Sequence, residues 1–252
     1  MRIVSLVPSL TKTLVDFGLR DQLVGITNFC VDPPDLYRSV ARIGGTKNPD
    51  LHALADLQPT HVIVNSEENR FEDIETIRNS YNMLATFPKD PGDVPQMLIE
   101  LSRFLGVESV GIGEANRLKS ELRELETSPP LFSHYGRTFA YLIWRDPWMA
   151  VSQDTYISKF LNRLGLENVI QTDVRYPEVL PADVDVLRPD VIFMSSEPWP
   201  FRKRDAAAWR TAAPSQGARI MWIDGKFLSW YGTSTIEALR RARIQDRLTR
   251  NL

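Results

Sequence analysis

Cysteine is almost missing from this 252-residue chain: Cys30 stands alone. An internal disulfide is therefore excluded, as is any structural zinc site built from several thiolates. Histidine is scarce as well. His52, His61 and His134 are scattered, none with a second histidine at ligand spacing, so binding of free zinc or manganese is not expected. No apolar run approaches the ~20 residues that a membrane-spanning helix needs. The phosphate-cradling loops of nucleotide enzymes are absent, since Gly111-Ile112-Gly113 lies in a helical stretch rather than after a strand. No Gly-x-Ser-x-Gly elbow occurs. The net charge of −2 gives no electrostatic basis for nucleic-acid binding. The arginines near the carboxyl end (Arg240, Arg241, Arg243, Arg247, Arg250) alternate with Asp246 and apolar residues, as on a solvated helix face. No leader-like segment precedes the strand Arg2–Val7, so the chain as it stands is expected in the cytoplasm, or in the periplasm if a leader was removed.

What is present is an ordinary globular composition, 43% hydrophobic and 25% charged, with one conspicuous echo. Leu57-Gln58-Pro59-Thr60-His61-Val62-Ile63-Val64-Asn65-Ser66-Glu67 returns as Leu187-Arg188-Pro189-Asp190-Val191-Ile192-Phe193-Met194-Ser195-Ser196-Glu197. Each copy reads as a helix end, a proline break, a buried strand and a polar turn. The expectation is an α/β protein with two lobes, each with a mainly parallel sheet. Ligands of open α/β sheets bind outside the carboxyl ends of the strands, which puts both Ser-Glu turns in candidate sites.

The remaining pattern supports this plan. Strands are expected at Ile3–Val7, Leu23–Ile26, His61–Val64 and Met83–Phe87. Ser9, Asn48 and Asp154 are taken as helix caps, and Gly18 and Gly165 as helix stops. Phe71, Ile74 and Ile77 give the apolar face of a helix over 71–81. Helices are expected over 94–105 and 107–126, the second with the stripe Ala115, Leu118, Leu122, Leu125. After Ser128-Pro129-Pro130, strands follow at Phe139–Trp144 and Ile220–Ile223, with a closing helix from Thr235. The expected division is a lobe over 1–106, one long interlobe helix over 107–127 acting as a stiff link, and a lobe over 128–252.

Val7-Pro8-Ser9-Leu10-Thr11, Val24-Gly25-Ile26-Thr27 with Asp32-Pro33-Pro34, Gly44-Gly45, the Leu-x-Pro strands and the mid-chain helix together resemble the helical-backbone periplasmic binding proteins. That family serves ABC importers of cobalamin and ferric siderophores. The similarity runs through nearly the whole chain, and Ser66-Glu67-Glu68-Asn69-Arg70, Trp144-Arg145, Ser196-Glu197-Pro198-Trp199-Pro200-Phe201 and Ser229-Trp230-Tyr231-Gly232 resemble a subgroup without a signal peptide. The resemblance implies a class III fold: two α/β lobes joined by one long helix, with ligand clamped between them. It implies a non-enzymatic, monomeric protein that captures a metal-containing organic ligand, cobalamin or another corrinoid first, a ferric siderophore or haem second, and hands it to an ABC importer permease. No resident cofactor is expected. Two departures stand out. The surface glutamates that dock cobalamin binders on the permease are replaced by His52 and Ala182, and the tryptophan that ends the first repeated strand is Asn65.

Candidate ligand-binding residues follow from these readings. Phe29, Trp144 and Tyr176 align with ligand-contacting aromatics of cobalamin binders. Trp148, Trp199, Trp230 and Tyr231, with Phe201 and Phe227, are further rings on loops or strand ends, suited to a large flat ligand. Asn65, Glu67 and Glu197 lie at the two polar turns beside Glu68, with Arg70, Arg145 and Arg202 as salt-bridge partners for the glutamates. A second reading keeps the scaffold but makes Glu67 and Glu197 the working groups of a cytoplasmic enzyme or partner-binding protein. Cys30 is read as a buried inert thiol, with axial ligation of a metal as the alternative.

Overall fold

Two five-stranded sheets carry the fold in this computed structural model, which describes residues 1–213, 215 and 217–250, the last four by backbone alone. The strands are β1 (Ile3–Ser5), β2 (Leu23–Ile26), β3 (Ala41–Arg42), β4 (His61–Asn65), β5 (Met83–Thr86), β6 (Thr138–Trp144), β7 (Met149–Ala150), β8 (Glu167–Asn168), β9 (Val191–Ser195) and β10 (Arg219–Ile223). The helices are α1 (Pro8–Asp16), α2 (Leu36–Ser39), α3 (Leu51–Asp56), α4 (Phe71–Ser80), α5 (Val94–Phe104), α6 (Glu108–Thr127), α7 (Tyr156–Arg163), α8 (Pro181–Val186), α9 (Lys203–Ala212), α10 (Gly225–Ser229) and α11 (Ser234–Arg250).

The chain separates into two compact units. Unit 1 comprises Met1–Pro88, Gly92–Lys119 and Tyr231–Ile236; unit 2 comprises Lys89–Pro91, Ser120–Trp230 and the chain from Glu237 onward. The sheet of unit 1 is wholly parallel, in the order β3-β2-β1-β4-β5. In unit 2 the order is β10-β9-β6-β7; β8 also pairs with β6, and only β7 runs antiparallel.

The repeated segments adopt the same backbone. Helices α3 and α8 are six residues long, and each ends at a leucine with near-identical helical dihedrals (Leu57 φ −73°, Leu187 φ −74°). The next residue turns left-handed in both copies, Gln58 at φ 45° and Arg188 at φ 51°. The proline then prevents the helix from continuing, and a buried strand follows. His52 and Ala182 occupy the same, exposed position of these two helices.

Burial matches the apolar pattern. In unit 1, Val4, Leu6, Val62 and Val64 pack with Ile74 and Ile77 of α4. In unit 2, Leu142, Ile192 and Met194 pack with Phe201 and Trp209. The stripe Ala115, Leu118, Leu122 and Leu125 of α6 is buried throughout. Gly111 is needed where α6 meets α5, because a Cβ there would lie 1.9 Å from Ser102 Oγ.

Several local expectations are corrected. Ser9 lies inside α1, which starts on Pro8 as its first residue; Gly18, at φ 78°, closes it as expected. Asp50, not Asn48, caps α3, its carboxylate accepting from His52 N and Ala53 N at 3.0 Å. Thr155, not Asp154, caps α7; the Asp154 carboxylate is instead engaged by Lys89 and Arg175. Phe71, the first residue of α4, is 71% exposed rather than part of the helix's buried face.

Candidate functional site

Parallel strands put their carboxyl ends together, so each unit gathers its polar turns at one end of its sheet. In unit 1 the turn after β4 is organised by the last residue of the strand. Asn65 is 2% exposed, and its Oδ1 accepts from Glu67 N at 2.8 Å and Glu68 N at 3.0 Å. Its amide nitrogen donates to Thr86 Oγ1 at the end of β5, at 3.3 Å. Buried Asn69 braces the turn: its Oδ1 accepts from Asn65 N, and its Nδ2 donates to Leu6 O and Thr46 O. Lys47 Nζ donates to Glu67 O at 2.7 Å. Asn65 is therefore the scaffold of the turn, with its side chain turned inward, while Glu67 and Glu68 are half-buried.

Tyr231 belongs to the same end of unit 1. Its hydroxyl donates to Glu68 Oε1 at 3.2 Å, near Thr86 and Ser9. Burial, and then the Glu68 carboxylate, push the Tyr231 hydroxyl well above the ordinary tyrosine value, so it stays a donor. Phe29, after β2, is 59% exposed and packs close to Gly45, where a Cβ would lie 3.3 Å from the ring's Cε2. Cys30 beside it is fully buried. Its sulfur lies 3.1 Å from Thr11 Oγ1 and 3.2 Å from Thr27 Oγ1, and burial raises its pKa, so the thiol is internal and protonated.

Unit 2 builds its turn on the same plan. Ser195, the last residue of β9, is fully buried. Its hydroxyl accepts from Tyr141 Oη at 3.1 Å and from Glu197 N at 3.3 Å, and donates to Glu197 O at 2.5 Å. Gly225 opens α10 directly against this turn: a Cβ there would sit 2.4 Å from Glu197 Cγ and 2.6 Å from Ser195 Oγ. The Glu197 carboxyl faces Ser229, whose hydroxyl donates to Oε1 at 3.4 Å, and the indole of Trp230. Burial raises the Glu197 pKa, with Lys226 acting against the rise and Asp224 adding to it.

Further aromatic rings lie at the same strand ends. Trp144, at the end of β6, is 38% exposed and meets Trp199 edge to face at 5.2 Å. Trp148 stacks on Phe201 with planes 3° apart and meets Trp209 edge-on at 5.0 Å, while the Arg145 guanidinium lies 5.3 Å over its ring. Lys226 Nζ sits 4.8 Å over Trp230. The structure thus brings Trp144, Arg145, Trp148, Glu197, Trp199 and Trp230 together at one end of unit 2. Tyr176 is half-buried further down the ladder, between Arg175 O and Pro177 O, which accept from Ser152 N and Ala150 N. Phe201 and Phe227, expected as ligand-facing rings on loops or strand ends, are core residues, and Trp230 and Tyr231 of the same set are buried as well.

The arginines do not pair with the glutamates as expected. Arg70 grips Asp73 through two hydrogen bonds at 2.9 and 3.1 Å. Arg145 pairs with Asp205, which also accepts from Arg202 N at 2.7 Å. Asp73 and Asp205 are each the third residue of the helix after the turn, where a carboxylate meets the free N–H groups of the first helical turn. The Arg-x-x-Asp spacing visible at Arg70–Asp73 and Arg202–Asp205 carried this signal. The sequence reading also missed Asn69, and two exposed rings at the carboxyl end of unit 1, Phe71 and Phe87. Among the described residues no group of three or more His, Cys, Asp or Glu is placed to hold a metal ion. None of the described helices is long and apolar enough to cross a membrane.

Comparison with known proteins agrees with this architecture. A vitamin B12-binding protein of Vibrio cholerae (serotype O1) is 24% identical over 196 residues, 77% of this chain and 70% of the relative. The crystal structure of the periplasmic vitamin B12-binding protein BtuF of Vibrio cholerae superposes with a TM-score of 0.80 at 21% identity, covering 100% of this chain and 98% of that one. The periplasmic haem-binding protein RhuT of Roseiflexus sp. RS-1, in its apo form, gives 0.80 at 21% identity, covering 97% of each chain. The expected class III architecture is therefore the observed one. The family model described as periplasmic binding protein matches residues 3–213, and the chain belongs to that family.

Proposed function

We propose that this protein is a non-catalytic substrate-binding protein for a metal-bearing organic ligand, a corrinoid before a haem or a ferric siderophore, with the strand-end surfaces of both units as its ligand-binding surfaces. The carrying observation is the exposed Trp144 ring, set edge to face on the half-buried Trp199, at the carboxyl ends of β6 and β9 in the same turn as Glu197. Flat apolar rings bury the faces of a large macrocycle, and the neighbouring acids accept hydrogen bonds from amides on its rim. Glu67, Glu68 and Glu197 bring three carboxyls to these turns, and Arg145 is committed to Asp205. This balance favours an amide-rich, uncharged periphery over one rich in carboxylates. Phe29 adds an exposed ring in unit 1 and Tyr176 a half-buried one in unit 2; Asn65 positions Glu67 and Glu68 instead of touching ligand. The metal stays in its chelate.

Import through an ABC permease is the cellular role we assign, with the contact made elsewhere than at His52 and Ala182. Titration with cobalamin, cobinamide, haem and ferric siderophores, followed in the visible spectrum and by calorimetry, tests the reading. Saturable corrinoid binding that Trp144→Ala weakens is the expected result; no response to any of the four ligand types overturns it. The raised pKa of Glu197 beside Ser229 is what favours the second reading, an acid–base group of an enzyme. Corrinoid binding retained by Glu197→Gln counts against it.

A further inference from the structure

Unit 1 carries one further surface feature that the strand-end turns do not use. An open depression of roughly 690 Å³ lies at the free edge of its sheet, lined by Asn28, Tyr37, Arg38, Val40, Ala41 and Arg42. Its floor is held from both sides. β3 pairs with β2 through Gly25–Ala41 and Ile26–Arg42, which fixes the backbone of Arg42. The Arg42 side chain is then pinned: its guanidinium carbon lies 3.9 Å over the Tyr37 ring, and its Nη1 donates to Tyr37 O at 2.8 Å. Arg42 is nevertheless exposed, and its Nε and Nη2 make no hydrogen bond to the described residues. Arg38 stands in the last turn of α2 and is exposed. The nearest acid on that helix, Asp35, is already paired with Arg20 at 2.7 Å. None of the lining residues is acidic.

We infer that this depression is a binding subsite for a phosphate group. Two arginines on adjacent elements line the same depression, and one of them is immobilised in advance by Tyr37. Guanidinium forks bind phosphate oxygens in pairs, and stacking on Tyr37 lowers the entropy lost when Arg42 engages. A tetrahedral anion offers oxygens to both forks and one more to the Asn28 amide, whereas a planar carboxylate has only two. The apolar walls at Val40 and Ala41 accommodate the organic part of a phosphate ester. The phosphate has two possible sources: the phosphodiester tail of a complete corrinoid, or a free phosphate ester such as a nucleotide. The first source rests on the function proposed above; the second is independent of it.

The experiment compares the wild-type protein with Arg38→Gln/Arg42→Gln at constant ionic strength. Inorganic phosphate and AMP are titrated by calorimetry and phosphorus NMR. Cobalamin, which carries the phosphodiester, is compared with cobinamide, which lacks it. Saturable binding of phosphate or AMP that falls at least tenfold in the variant establishes the site and a free ester as its source. Cobalamin binding that falls at least tenfold while cobinamide binding is unchanged establishes the site and the corrinoid tail as its source. If neither probe pair responds to the two substitutions, the proposal is overturned. Loss of all corrinoid binding by the wild-type protein would sink the proposed function, yet leave the phosphate and AMP titrations to decide this subsite.

Discussion

The turn after β4 and the turn after β9 share a backbone but not a mode of support. In unit 1, one buried amide, Asn65, accepts from two successive N–H groups and is itself braced by Asn69. In unit 2 a single hydroxyl, Ser195, does the work between Tyr141 and Glu197, and Gly225 brings α10 close enough to wall the acid in. The first arrangement sets Glu68 against the Tyr231 hydroxyl and Lys47 on the Glu67 carbonyl; the second half-buries Glu197 beside Ser229, Lys226 and the Trp230 indole. The same chain path can thus give its acids different partners, depending on the residue that ends the strand and on what packs behind it.

The largest expected effect comes from removing the support of the aromatic turn. Trp209 is 1% exposed and holds Trp148 in place, so Trp209→Ala should cost about 3–5 kcal/mol in chemical denaturation. An equal loss on truncating Ile77 of unit 1 to alanine would show that the two cores are not distinguished by their aromatic anchor. Next, Trp144→Ala should weaken corrinoid binding about tenfold or more, and Phe29→Ala by less, because among the described residues no ring partners Phe29 as Trp199 does Trp144. Equal losses in calorimetric titration would make the two units equal contributors.

Asn65→Ala strips the acceptor from two N–H groups and should destabilise by about 1–3 kcal/mol, measured by urea unfolding; Ser195→Ala should cost about 1 kcal/mol. A reversed order would mean that the hydroxyl chain through Tyr141 is the stronger brace.

The smallest effect concerns pH. The folded-state pKa of Glu197 is raised, so the folded protein holds this proton more tightly than the unfolded chain does. Stability associated with Glu197 therefore falls as pH rises from the ordinary carboxyl range through the raised folded value, and is constant below that window. Glu197→Gln should flatten that decline in a pH series of melting temperatures; an unchanged slope would refute the assignment.

Much of this was legible in the chain itself. The Leu-x-Pro echo located β4 and β9, their polar turns and the helices before them. The stripe on α6 was visible because one apolar face repeats over about three turns, from Ala115 to Leu125. The two-residue strands β3, β7 and β8 were not, since pairs of residues have no period to detect. Caps were displaced by one or two residues: at α3 and α7 neighbouring Asn and Asp, or Asp and Thr, are all competent, while α1 starts at Pro8 after Val7, with no side-chain cap at all. The arginine partners were misread for a similar reason: Glu67 and Glu197 are near in sequence, but Asp73 and Asp205 sit at the helix starts, where both the N–H groups and the arginines converge.

Gln58 and Arg188 have a practical consequence. Both are held at positive φ between a leucine and a proline, a conformation that costs a side-chain-bearing residue of order 1 kcal/mol and glycine little. One substitution, to glycine, can accordingly be installed at two matched junctions, singly or together. Each site then serves as the other's internal reference, and the gain in melting temperature from either reports how firmly its own half of the molecule is held together.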